Sequence, residues 1–234
     1  MDSLPTPAPI DDHAAALLEA QHKAASLFAD IERGLIRPGI TESQLNREIF
    51  ALAAEKFGVT THWHKRVIRA GSNTLLPYNE NPPDRRVEAD DILFVDLGPV
   101  FAAWEADFGR TFVLGNDPAR HRLKNALEPI FHAAKARFAA DPDMDGETLY
   151  GIACDLAKQA GWEFGGRIAG HTVGEFPHET IAGDRITFYI TRGNKLPLRR
   201  ADAAGRPYHW ILEIHLVDRE KQIGGFFEEL LTVG

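Results

Sequence analysis

The sequence predicts an α+β fold in which amphipathic helices cover an antiparallel sheet, with approximate internal two-fold symmetry. Three observations predict it. From Ile92 to Leu114, ILFVDLGPVFAAWEADFGRTFVL reads as two apolar strands, each carrying one carboxylate where a side chain should face inward. From Trp210 to Val233, WILEIHLVDREKQIGGFFEELLTV repeats that design with glutamates. Ahead of these hairpins, GITESQLNREIFALAAEKFGV and MDGETLYGIACDLAKQAGWEF echo one another in turn, hydroxyl-bearing acidic start, apolar spacing and glycine stop. Helices grouped with antiparallel hairpins, rather than alternating singly with strands, favour α+β over a parallel sheet.

In chain order, apolar residues recur at helical spacing from about Asp11 to Arg37, where Pro38-Gly39 stops the helix. Thr41 followed by Gln44 fits a capping box, and Leu45, Ile49, Phe50, Leu52 and Ala53 supply the stripe of a helix ending at Gly58. The stretch Val59 to Gly71 is strand-like, which would put His62 and His64 on one face, lining a pocket wall or binding metal. After the turn-rich Asn79 to Arg86 and the first hairpin, helices follow from about Asp117 to Ala140 and from Leu149 toward Gly161. Strand and loop then alternate through GRIAGHTVGEFPHE and ITFYI to the last hairpin.

The chain has 234 residues, 44% hydrophobic and 26% charged, enough for a sizeable core, and one domain over residues 11–234 behind a disordered tail of residues 1–10 is expected. Net charge is -8, with no basic cluster beside an aromatic platform, which argues against nucleic acid. No apolar run approaches the roughly 20 residues of a membrane span, and MDSLPTPAPIDDH lacks the pattern of a signal peptide. A single cysteine, Cys154, read as a small apolar helix residue, suits a reducing cytoplasm. The one basic stretch, Thr191 to Arg200, is either a solvated loop or a rim attracting an anionic substrate.

Chemistry concentrates in the hairpins. If Val100 to Ala103 close the first, Asp96 falls opposite Asp107; if Arg219 to Gln222 close the second, Glu213 falls opposite Glu228. Facing hairpins would bring four carboxylates into one cavity. Burying them unpaired costs several kcal/mol each, whereas two divalent cations would balance their charge. Oxygen-rich ligation favours Mn, Fe(II) or Co, with Zn admissible, and such a pair can promote amide hydrolysis.

These residues resemble the pita-bread metallopeptidases, the family of methionine aminopeptidase, aminopeptidase P and prolidase, with non-peptidase relatives such as creatinase. Its pattern is two aspartates separated by ten residues, a histidine after glycine, and two glutamates on C-terminal strands; Asp96, Asp107, His171 in GHTVG, Glu213 and Glu228 stand in that order. The resemblance runs from about residue 11 onward, through RPGITE and DFGRTF, and implies the pita-bread fold and a small peptide or small-molecule substrate. By resemblance, Asp96 would chelate one metal, His171 and Glu213 the other, and Asp107 and Glu228 both. A metal-bridging hydroxide would attack, Glu213 would accept its proton, and His178 would bond the substrate carbonyl or the tetrahedral intermediate. Arg110 and Thr111 match the pattern as structural residues, and Glu228 rather than Glu229 is placed in the cluster. A homodimer is an open expectation.

Three departures bear on the reaction. Pro77 in LPYNEN stands where the aminopeptidase P branch has a histidine; Glu213-Ile214-His215 replaces a Glu-Pro-Gly or Glu-Pro-Met; and no N-terminal substrate-selecting domain is expected. His215 shares a strand face with Glu213 and is a candidate replacement for the histidine lost at 77. Dinuclear peptide or amide hydrolysis is therefore the first expectation. Carbon–nitrogen hydrolysis or lyase chemistry on a small molecule is the second, and a binding protein without catalysis is the third.

Overall fold

The computed structural model describes residues 12–178 and 186–233; the expected tail at 1–10 lies outside them. Its first half opens with helix α1 (Asp12–Gly34), which buries Leu17, Ala24, Leu27, Phe28 and Ile31. Helix α2 (Glu42–Phe57) starts on the capping box of Thr41 and Gln44 and stops at Gly58 in the left-handed region, φ 67°. Strands β1 (Val67–Ala70), β2 (Ile92–Leu97), β3 (Val100–Phe101), β4 (Trp104–Glu105) and β5 (Phe108–Val113) follow. The second half repeats the plan with α3 (Pro118–Ala140), capped by Asp117, and α4 (Gly146–Gln159), capped by Asp145. Then come β6 (Glu163–Phe164), β7 (Thr172–Val173), β8 (His209–Asp218) and β9 (Ile223–Leu230).

All pairings are antiparallel, and the sheet order β1-β2-β5-β9-β8-β6 is a palindrome of the two halves, meeting where Gly109 of β5 pairs with Glu228 of β9. Strand β7 pairs β8, and β3 with β4 makes a separate two-stranded ribbon. One face of the sheet is mainly apolar, interrupted where Arg110 pairs with Glu229. Leu93, Val95 and Leu97 pack with α1 and α2, while Leu212, Ile214 and Leu216 pack with α3 and α4. Strand alternation sends Phe94, Asp96, Glu213, His215, Phe226 and Glu228 to the opposite face, where all six line one cavity.

Three local expectations are corrected. Asp96 pairs with Gly109, not Asp107, because Val100 and Phe101 are themselves paired and only Ala102 and Ala103 turn, with Ala102 at φ 57°. A two-residue slip preserves pleat parity, so both aspartates keep the same face as diagonal neighbours. Residues 59–66 are largely irregular, strand pairing beginning at Val67, and ITFYI forms a 3-10 turn at Ile186–Phe188 instead of a strand. Glu213 does face Glu228, across a hairpin closed by residues 219–222.

Candidate metal centre

Strand β2 delivers Asp96, the residue ahead of β5 delivers Asp107, β8 delivers Glu213 and β9 delivers Glu228. Gly109 lets the halves close here: a Cβ on it would lie 2.5 Å from the Phe226 ring and 3.2 Å from Glu228 Cβ. His171 enters from the segment before β7. Its Nδ1 donates to the Thr172 carbonyl at 2.9 Å, which turns Nε2 toward Asp107 Oδ2 at 3.3 Å. The five residues expected at the centre are therefore together, and Glu229, next to Glu228, points away to an ion pair with Arg110.

His64 joins them. Its Nε2 lies 3.2 Å from Asp107 Oδ1 and 3.6 Å from Asp96 Oδ1, while Nδ1 donates to the Lys65 carbonyl at 2.7 Å. His62 does not: its ring lies beside Phe50, and burial pulls its pKa down to about 4, with Arg66 and His64 adding. The strand-face pairing of the two histidines is thus lost with the strand itself. Trp63 packs edge-on against His64, His171 and His178, with ring centroids 4.5, 5.2 and 5.3 Å away, and anchors its indole N–H on the Ala106 carbonyl.

The charge balance is informative. Asp96 is pushed up to about 7 by burial first, with the His64 ring opposing and the Asp107 charge adding. Glu213 rises to about 8 by burial, with His171 opposing and Asp96 and Asp107 adding. Burial, then the charges of Asp107, Asp96 and Glu213, drives Glu228 well above its usual range. Burial also works against ionised Asp107, but His64 and His171 outweigh it and hold this group below the ordinary carboxylate range. The protein alone thus supplies too little positive charge for four ionised carboxylates.

Asp96 Oδ1, Glu213 Oε1 and Glu228 Oε2 are buried without a hydrogen-bond partner, an arrangement that costs free energy unless another group fills it. Potential ligand atoms of His64, Asp96 and Asp107 converge within 4.8 Å, as do those of Asp107, His171 and Glu228. Orphaned acceptors, excess negative charge and two converging groups sharing Asp107 fit divalent cations.

Around the carboxylates the cavity has a volume of about 880 Å³ and is lined also by Pro77, Tyr78, Arg167, Phe176, His178 and Tyr189. His178 is held by Glu105, whose carboxylate accepts from its Nδ1 and, at 3.2 Å each, from the backbone N–H groups of Gly174 and His178. Sequence reading missed Glu105, although its two-residue offset from Asp107 was a signal. His215 borders the cavity, but its Nε2 donates to the Thr74 carbonyl at 2.8 Å, and burial lowers its pKa. Arg110 lies between the rings of Phe108 and Phe227, at 3.8 and 3.9 Å, and Thr111 bonds the Phe226 backbone, both structural roles. The basic stretch is a loop fastened to the fold: Arg199 donates to the Phe138 and Asp141 carbonyls and Arg200 to Thr187, while Thr191 alone of 191–200 reaches the cavity wall. Cys154 is half-buried on α4 against the second-half core.

Comparisons with known proteins identify the family and the fold. The profile of Metallopeptidase family M24 matches residues 15–201. An Xaa-Pro dipeptidase of Pyrococcus furiosus is 31% identical over 177 residues, 68% of this chain and 49% of that protein. A Pyrococcus horikoshii Xaa-Pro dipeptidase is 29% identical over 150 residues, 60% of this chain and 40% of its own length, so the chain spans about half or less of these relatives. A prolidase structure from Thermococcus sibiricus superposes with a TM-score of 0.73 at 19% identity, covering 94% of this chain and 55% of that one. The fold is therefore that of the pita-bread prolidases.

Proposed function

Because the chain belongs to metallopeptidase family M24, we propose that it is a dinuclear metal-dependent hydrolase acting on a short peptide, an Xaa-Pro dipeptide being the first candidate from its relatives. The observation that carries this reading is the set of three orphaned carboxylate oxygens in the buried cluster. Asp96 and Asp107 would hold one cation, His171 and Glu213 the other, with Asp107 and Glu228 shared between them. Two such cations, Mn, Fe(II) or Co before Zn, would supply charge balance, polarisation of the scissile carbonyl and acidified water.

The chain's own residues perform the remaining work. Glu213, beside the cations, takes the proton released as water attacks and passes it toward the leaving amine. His178, braced by Glu105, presents its other edge to the substrate carbonyl oxygen. Phe94, Phe176, Phe226 and Tyr189 give the cavity apolar walls that exclude bulk water from the reacting bond. His215, on the Glu213 side of the same cavity, would take the place of the imidazole absent at Pro77. That proline also supports a second reading, a small non-peptide amide or lyase substrate.

The test is elemental analysis of metal-equilibrated protein with parallel assays on dipeptides. About two metals per chain, chelator-sensitive cleavage, and loss of metal and activity in Asp107→Ala are expected. Metal binding without cleavage of any peptide would transfer the assignment to the small-molecule reading, and no metal under any condition would reject both.

A further inference from the structure

We propose that His64 is a metal ligand, giving the cation at Asp96 and Asp107 the imidazole that His171 gives its neighbour; the inference rests on the two-cation reading above. The two histidines are anchored alike. Each donates Nδ1–H to the carbonyl of the next residue, Lys65 or Thr172, so the neutral ring's lone pair is on Nε2. Each Nε2 then faces one oxygen of the same carboxylate, Asp107 Oδ1 for His64 and Oδ2 for His171. Held among carboxylate oxygens, that nitrogen calls for positive charge beside it, a proton in the metal-free chain or a cation in the proton's place.

The surroundings are shaped for that ring. Asp96, itself buried, keeps Oδ1 without a hydrogen-bond partner 3.6 Å from His64 Nε2. Gly98 opens the niche: a Cβ there would fall 2.1 Å from His64 Cδ2 and 2.5 Å from the Trp63 indole nitrogen. The two rings reach the centre from different points of the repeat: His64 lies between α2 and β1, ahead of the first half's outer strand, and His171 lies between β6 and β7, after the second half's. Each cation would still receive one imidazole nitrogen, which moves the ligand set from all-oxygen toward that preferred by Co, Fe(II) and Zn.

The decisive measurement is Co(II) titration of the full chain with bound metal counted by elemental analysis and coordination read by X-ray absorption. Wild-type protein should hold two Co(II) with one imidazole on each. His64→Phe, which keeps ring volume, should bind one of the two at least about tenfold more weakly. His64→Gln should do the same, and melting curves of both metal-free variants verify that they fold. Wild-type affinity for both ions in a folded variant, or one imidazole shared between two Co(II) in wild type, overturns the assignment and leaves the two-cation reading intact. Absence of any bound Co(II) in wild type overturns both.

Discussion

Glu228 and Glu229 are adjacent and chemically identical, yet one is buried among acids and the other pairs with Arg110 at the edge of the core. Pleat parity separates them, and the Gly109 pairing selects which faces the cavity. In the metal-free chain Glu228 keeps its proton to higher pH when folded than when unfolded. Its raised folded value therefore lowers stability as pH climbs above about 4.5, the ordinary range. Glu228→Gln mimics the protonated form, so the chelator-treated variant should melt higher than wild type at pH 8 by roughly 1–2 kcal/mol while its metal uptake falls. A lower melting temperature would contradict the burial argument. His215→Ala should lower turnover with metal content unchanged; unaltered turnover would confine His215 to holding the Thr74 carbonyl.

Elements differ in how much of their form is local. The capping box at Thr41, the Asp117 cap and the 3.6-residue stripes determine α1 to α4 from short-range preferences, and these helices fall within a few residues of their expected bounds. The first hairpin was legible as a hairpin but not in register, because Val100 and Phe101 suit a strand or a loop equally until the ribbon with Trp104 and Glu105 decides. ITFYI shows the opposite failure. Its apolar β-forming residues form a 3-10 turn, with Tyr189 bridged to His171. At this scale Gly98→Ala should destabilise the protein by about 1–3 kcal/mol, because the added carbon meets His64 and Trp63. For a chain of this size that is a loss of about 2–4 °C in melting temperature per kcal/mol, readable by calorimetry. An unchanged melting curve would show that the niche relaxes freely.

For the whole molecule, the proposed centre joins the halves: Asp96 and Asp107 come from the first, His171, Glu213 and Glu228 from the second. Bound cations then act as cross-links between two three-stranded units that otherwise meet along β5 and β9. Saturation at a hundred times the dissociation constant should add about 2.7 kcal/mol to the unfolding free energy, absent in Asp107→Ala. Differential scanning calorimetry with and without chelator reads this directly, and identical wild-type curves would remove the coupling between halves.

By itself the sequence determined the helices, the two carboxylate-bearing hairpins, the internal repeat, and five residues whose order and spacing match a family pattern. Each depends on local periodicity or on fixed chain distances. Tertiary structure alone decided that Asp96 faces Gly109, that His64 enters the cluster while His62 stays out, that Glu105 braces His178, and that His215 commits one nitrogen to a carbonyl. The Asp96 register follows from the ribbon of β3 and β4, and the other choices from irregular backbone at residues 59–66 and from contacts between residues 43 to 141 apart, where no periodicity carries the direction of a side chain.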